Sequence, residues 1–310
     1  MCLYPKLIKN PKYLPNKKNG GCPPPLLDKR LEYIPARCGK CYECRKEKQR
    51  EWIVRLSEEI RTEKAYFVTC TIAPEYLDTL LIDWHDIPNQ VAKDAIRHFL
   101  ERVRKKTGKS LRHWFVTELG EDFDRIHIHG FVFGENAAEL LREKWLYGYV
   151  FIGCYCTEKT IRYCTKYMLK MDEKHKDFTS QVFCSAGIGS QYIERADAYN
   201  NRFQGEKTKQ TYRTRQGTIL ALPEYYKRKI YTEDEKEKLW IQMQDSGETY
   251  VMGEKCDIES PEYIQLIKYY QQKCMQIHGD NPSDWELQKY VNKLRKQRKA
   301  RLKAIKKLKG

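Results

Sequence analysis

The chain has no apolar run approaching the roughly eighteen residues that a helical membrane span requires, so no such span is expected. The stretch after Met1 contains a cysteine, prolines and lysines but no uninterrupted hydrophobic segment, and it does not read as a secretory leader. A soluble, unsecreted protein is the expectation. Internal repeats are also missing, and 310 residues without them suit one main domain with extensions, or at most two domains. Acidic residues are in deficit, 42 Asp+Glu against 58 Lys+Arg, which leaves a formal net charge of +16. A field of that size and sign attracts polyanions, and nucleic acid is the leading partner.

Cysteine is abundant, with twelve in the chain, and three of them form Cys38-x2-Cys41-x2-Cys44. In a long chain with no leader, that spacing suits a metal better than a disulfide framework. Cys2 or Cys22, brought back by the N-terminal arm, would supply the fourth ligand of a closed tetrahedral zinc site. An iron–sulfur cluster uses the same ligand type. Most of the other cysteines read as small core residues, such as Cys70 in a β-rich run and Cys164 beside Ile161 and Met168.

Residues 1–37, rich in Pro, Gly and Lys, read as an extended arm without regular structure. From Cys44 to about Lys64, Trp52, Ile53, Leu56 and Ile60 recur at helical spacing, and Ala65–Thr71 follows as a strand. Pro88 suits the first position of a helix with Val91, Ala95, Phe99 and Val103 on one face. Its basic end, Arg102, Arg104, Lys105 and Lys106, is a candidate phosphate-binding group. Arg112–Leu119 and Ile126–Phe133 read as a hairpin, Ala137–Leu146 as a helix, and Tyr149–Cys156 as a strand. A helix over Glu158–Met171 follows, with Thr157 placed to cap it. Arg202–Gln216 is polar and basic, and helices resume around Thr232–Asp245, Pro261–Gln276 and Ser283–Lys309. The last of these carries Arg298 and Arg301 among many lysines, again suited to phosphate contacts. This mixture with hairpin contacts points to an α+β fold, an antiparallel sheet with helices packed on it.

His127-Ile128-His129 carries chemistry because alternate side chains of a strand share a face, so both imidazoles point the same way. If Leu119 pairs with Ile126, Glu118 lies across from His127 on that face. Two imidazoles and a carboxylate with open positions suit Mg²⁺ or Mn²⁺ acting on a phosphodiester. On the helix that follows, Tyr163, Lys166, Tyr167 and Lys170 form one stripe, opposite Ile161, Cys164 and Met168. A phenol is a weak nucleophile near neutral pH, and neighbouring ammonium groups favour its reactive anion. The plainer reading makes the histidines half-exposed strand residues and the tyrosines packing residues.

The strand Phe67-Val68-Thr69-Cys70-Thr71, the His127-Ile128-His129 tripeptide and the Tyr163-x3-Tyr167 helix resemble, in order and spacing, the three motifs of HUH endonucleases. Within that superfamily the chain is similar to replication initiators of microviruses, especially the gokushovirus type. Cys2, the run Cys38-Gly39-Lys40-Cys41-Tyr42-Glu43-Cys44-Arg45, Glu51-Trp52, Glu118-Leu119-Gly120 and Gly187-Ile188-Gly189 add to the likeness, which extends to about Tyr226. The resemblance implies an HUH-type central antiparallel sheet flanked by helices, with a cysteine-bearing N-terminal arm over 1–44 and an endonuclease domain over 45–200. A basic, mainly helical C-terminal extension would cover 201–310. It also implies Glu118, His127 and His129 as ligands of Mg²⁺ or Mn²⁺, Tyr163 and Tyr167 as alternating nucleophiles, and Lys166 and Lys170 as phosphate-orienting groups. Cleavage would leave a 5′-phosphotyrosine and a free 3′-hydroxyl. The implied partners are single-stranded or nicked viral origin DNA together with host helicase and DNA polymerase in the bacterial cytoplasm, with no membrane. Rival readings are a plasmid or transposon HUH relaxase or transposase, and a non-catalytic, zinc-stabilised nucleic-acid-binding protein.

Overall fold

A computed structural model describes residues 2–76, 88–120, 125–153, 155–170, 178–257 and 260–280. In chain order its regular elements begin with β1 (Lys6–Lys9), β2 (Tyr33–Ala36), α1 (Tyr42–Thr62), β3 (Ala65–Thr71) and α2 (Pro88–Thr107). They continue with β4 (Arg112–Leu119), β5 (Ile126–Phe133), α3 (Ala137–Lys144), β6 (Val150–Gly153), α4 (Glu158–Lys166), β7 (Val182–Cys184) and the one-turn α5 (Ala196–Tyr199). The remainder comprises β8 (Thr211–Arg213), β9 (Ile219–Ala221), α6 (Glu224–Ile230), α7 (Glu233–Ser246), β10 (Glu248–Val251), β11 (Glu254–Asp257) and α8 (Pro261–His278). Contacts divide the chain into two compact units, Lys46–Trp240 and Met1–Arg45 with Ile241–Gly310.

The larger unit is built on a five-stranded antiparallel sheet in the order β6-β3-β5-β4-β7. Helices cover both faces, which is why β4 and β5 are nearly continuous hydrophobic runs. On one face Val68, Cys70, Phe115, Ile128 and Val132 pack with Val91, Ala95 and Phe99 of α2 and Leu141 of α3. On the other, Trp114, Val116, Phe131 and Phe133 meet Trp52, Ile53 and Leu56 of α1 and Ile161 and Cys164 of α4. Alternation along β5 therefore assigns His127 and His129 to the α1/α4 face. Gly130, next to His129, lets β5 close on β4: a Cβ there would lie 2.1 Å from the Trp114 carbonyl oxygen.

Residues 201–240 belong to this unit, so compactness does not place a boundary at 200. Val54, Tyr192, Tyr212, Leu222 and Tyr226 form a third apolar cluster. Two adjacent buried carboxylates on α1 bind it to the rest. Glu58 accepts from Tyr212 Oη and from Arg195 Nη1 at 2.6 Å, and Glu59 accepts from Arg112 and from the Gly189 amide at 2.6 Å. Removing one partner from a buried charge of this kind costs about 3–5 kcal/mol.

In the smaller unit the arm that reads as irregular forms an antiparallel ribbon, with Lys6 opposite Ala36 and Lys9 opposite Tyr33. Two asparagines organise its turns: Asn10 and Asn16 side chains accept amide hydrogen bonds from residues just after them. Pro35 is tolerated because the ribbon has only two strands, both edges. The β10–β11 hairpin has no counterpart in the sequence reading, and α8 runs two residues beyond the expected Gln276. Tyr42 at the start of α1 donates its amide to both Asp280 carboxylate oxygens, at 2.9 and 3.1 Å, and Arg45 pairs with Asp280 at 3.2 Å. Among the described residues no helix is long and apolar enough to cross a membrane. The expected helix Ser283–Lys309, with Arg298 and Arg301, lies outside the described residues.

Candidate active site

Leu119 pairs with Ile126, so Glu118 stands directly opposite His127, and His127 is in turn paired with Thr71 on β3. The Glu118 carboxylate nevertheless reaches the diagonal neighbour: His129 Nε2 donates to Glu118 Oε2 at 2.7 Å. The other ring nitrogen, Nδ1, is held by Thr69 Oγ1 at 3.0 Å, which fixes the ring and aims Nε2 at the carboxylate. Lys170 Nζ donates to the second oxygen, Glu118 Oε1. Burial alone would raise the Glu118 carboxyl, but the bonds from His129 and Lys170 outweigh it and hold it below its ordinary value. Burial, together with the charge of His129, pushes His127 down and keeps its imidazole neutral. His127 leans on Gly120, where a Cβ would lie 2.5 Å from His127 Cε1.

The tyrosine helix is shorter than its sequence suggests. Thr157 caps it through the Thr160 amide, but α4 stops at Lys166 instead of Met171. From Tyr167 to Lys170 the amides bond three residues back, to Cys164, Thr165, Lys166 and Tyr167. Thr165, buried, turns its hydroxyl onto the Ile161 carbonyl at 2.8 Å, a bond that bends helices. The tightened turn brings Lys170 to Glu118 and lays the Tyr167 ring flat on His129, centroids 4.1 Å apart and planes 8° from parallel. Tyr167 Oη donates to Tyr163 Oη at 2.7 Å, with the two rings edge to face. Tyr163 is the more exposed of the two. Burial, the bond to Tyr163 and the Glu118 charge all push the Tyr167 phenol above its ordinary range, so its surroundings oppose the anion that the lysine stripe would favour. Lys166 is exposed on the last turn of α4.

Two imidazoles and a carboxylate on one open face are a donor set that a small divalent cation accepts. Bonds of about 2.1 Å put neighbouring ligand atoms roughly 3 Å apart, close to the Glu118–His129 separation. Convergence is incomplete, however. Among the described residues, the group of three or more candidate ligands whose donor atoms all fall within 4.8 Å of one another is Cys2, Cys38, Cys41 and Cys44. Cys2 Sγ lies 3.5 Å from Cys38 Sγ and 4.0 Å from Cys41 Sγ, and Cys38 Sγ lies 3.9 Å from Cys44 Sγ. Amides of Tyr4 and Cys38 point at Cys2 Sγ, and that of Cys41 at Cys38 Sγ, at 3.3–3.4 Å. Contacts with Cys2, Cys41 and Cys44 hold the Cys38 thiol well below its usual range, while Cys2 and Cys38 push Cys44 up. The group can hold a metal such as zinc. Cys22 is exposed and takes no part in it.

The basic end of α2 splits into two kinds of residue. Arg102 is engaged within the fold, donating to the Lys144 carbonyl at 2.9 Å and to Tyr147 Oη at 3.1 Å, and Lys106 pairs with Glu143. Arg104 and Lys105 are exposed. The residues that sequence reasoning does not single out are Thr69 and Gly120. Strand alternation puts Thr69 on the histidine face, and that is the available signal; nothing in the sequence marks Gly120 as the seat of an imidazole.

Residues 65–172 match a family model of replication-associated proteins, the ORF2 type. The match supports a replication initiator, and its span runs from β3 to just past Lys170, enclosing Glu118, both histidines and both tyrosines. Comparison with curated proteins and with solved structures gives no match.

Proposed function

We propose that the chain is the rolling-circle replication initiator of a small single-stranded-DNA phage of gokushovirus type, an HUH-type endonuclease that cuts and rejoins one strand through tyrosine. The observation that carries this reading is the pair of phenol oxygens 2.7 Å apart, with one ring stacked on His129, inside the stretch that matches replication-associated proteins. A phenol oxygen attacks the scissile phosphorus; the new O–P bond forms as the bond to the 3′-oxygen breaks, and that oxygen leaves as a 3′-hydroxyl after taking up a proton. The 5′-phosphate stays on the tyrosine. Host polymerase extends the 3′-hydroxyl, and the second tyrosine, one turn away, attacks the regenerated junction so that the first ester can be resolved. Tyr163, the more exposed, is the first to meet an incoming strand.

Mg²⁺ or Mn²⁺ held by Glu118, His127 and His129 would supply positive charge to the phosphate under attack. Thr69 fixes the tautomer and direction of His129, and Gly120 leaves room for His127. Lys170 and Lys166 orient the phosphate, and the exposed Arg104 and Lys105, with Arg298 and Arg301, add sequence-independent contacts to the backbone. Zinc is the better occupant of the cysteine group. Tetrahedral Zn–S bonds of about 2.3 Å put sulfurs roughly 3.8 Å apart, which matches the 3.5–4.0 Å seen here, whereas an iron–sulfur cluster spreads its ligands around a larger body.

The test uses single-stranded oligonucleotides tiling the replicon that encodes the chain, with Mn²⁺, and looks for a detergent-resistant adduct. Wild type should form it, and mass spectrometry should find the nucleotide on Tyr163 and Tyr167. Tyr163→Phe and Tyr167→Phe should each keep some single-turnover cleavage, and the double variant should form none. DNA binding without any adduct would instead favour a non-catalytic nucleic-acid-binding protein, and an adduct on any other residue would overturn the tyrosine assignment.

A further inference from the structure

Strand β6 forms one edge of the sheet, and its side chains on the histidine face are aromatic. Phe151 pairs with Thr69, which pairs with His129; Tyr149 bonds to Thr71, which pairs with His127. Two rows therefore run across three strands, each with an exposed ring at one end and a site histidine at the other. The ends are about 10 Å apart at the usual strand spacing. Tyr149 is 69% exposed and Phe151 46%, a large apolar area to leave uncovered on a sheet edge. From Phe151 the rings continue inward without a gap. Phe151 meets Phe67 at 6.0 Å, Phe67 meets Tyr163 at 6.1 Å, Tyr163 meets Tyr167 at 5.5 Å, and Tyr167 lies on His129.

We infer that Tyr149 and Phe151 form a stacking platform for unpaired bases that flank the phosphate bound at the candidate active site. The inference rests on the nicking reading for its ligand, a DNA strand, but it adds what that reading leaves open: why the strand must be single. Aromatic faces accept any base whose own faces are free, and a paired base keeps its faces inside the duplex. The charge suits the occupant, because Lys159 and Lys166 are exposed on α4, beside the exposed ring of Tyr163. Phosphates can follow the lysines while the bases lie on the rings.

The experiment measures binding of the full chain in a chelator, so that no cleavage intervenes. Two single-stranded probes of equal length are used, one carrying 2-aminopurine among normal bases and one abasic throughout its central segment. Wild type should quench the 2-aminopurine and bind the base-bearing probe more tightly. Tyr149→Ala and Phe151→Leu should each weaken that binding by roughly five- to one-hundred-fold, the range of base–aromatic stacking, and leave the abasic probe's affinity unchanged. Tyr149→Ala removes a mostly exposed ring, so it also reports if Phe151→Leu disturbs the strand. Equal losses on both probes, no loss on either, or a change of oligomeric state in place of a change in base binding would overturn the platform. Adduct formation by wild type reports separately on nicking: an adduct without base-dependent binding sinks the platform alone, and base-dependent binding without an adduct sinks the nicking reading alone.

Discussion

The two groups of candidate metal ligands follow opposite plans. Cys2, Cys38, Cys41 and Cys44 bring four sulfurs to one point, three of the residues are buried, and backbone amides already face the sulfurs. A tetrahedral ion there has no position left for a substrate. Glu118, His127 and His129 instead lie spread on a sheet face, share their hydrogen bonds with Lys170 and Thr69, and have two phenols within reach. Closed sites hold folds together and open sites meet substrates. The first group should therefore answer to removal in stability and the second in chemistry. The largest expected effect is on the open group: His129→Ala should lower adduct formation by at least about a hundredfold, the scale of removing one centre of charge stabilisation. Binding to single-stranded DNA and thermal stability should largely persist, measured by filter binding and calorimetry. A variant that nicks at the wild-type rate would erase the distinction from this side.

The closed group should show the reverse. Cys41→Ser, or exhaustive treatment with a strong chelator, should lower stability by several kcal/mol, since folding free energy on the order of 10 kcal/mol comes from such ions in small domains. For a chain of this size that is a fall in Tm of roughly 10 °C. Cys22→Ser should change nothing, because Cys22 is exposed and outside the group. Elemental analysis should find one zinc per chain. Metal-free protein of undiminished stability would show that the four thiols converge without need of an ion.

Much of the open site is legible in the sequence because it depends on strand periodicity. The bounds of β3, β4 and β5 follow from runs of β-branched and aromatic residues, and the Glu118–His127 register follows from the length of the hairpin. What alternation cannot supply is which diagonal neighbour a flexible carboxylate chooses, and Glu118 chooses His129. Helical periodicity, continued past Lys166, gives the right stripe for Tyr163 but misses the tightening that stacks Tyr167 on His129. Its cause is a set of bonds three residues apart, which leaves no mark on composition. Arg102 misleads for a related reason: charge is visible in sequence, but its carbonyl and phenol partners come from residues more than forty positions away. The ribbon of β1 and β2 and the packing of residues 201–240 are equally non-local, joining Lys6 to Ala36 and Glu58 to Tyr212.

The smallest expected effect tests whether the open group depends on its supporting shell in a way the closed one does not. Thr69 touches His129 Nδ1 and is itself no candidate ligand, so its role is to orient. Thr69→Val keeps the β-branched shape that suits β3 and removes only the hydroxyl. Losing a partner to a metal-binding imidazole costs about 10- to 100-fold in metal affinity, and a neutral hydroxyl should fall at the lower end. The Mn²⁺ concentration giving half-maximal adduct formation should therefore rise by about tenfold, while the rate at saturating Mn²⁺ changes little and Thr69→Ser restores the wild-type midpoint. Thermal stability should move by less than about 1 kcal/mol, since one hydrogen bond near the surface is worth no more. If the midpoint stays put while the saturated rate falls, Thr69 acts on the chemistry itself and not through His129. In that event Glu118, with bonds from His129 and Lys170, would carry the orientation of the imidazole unaided.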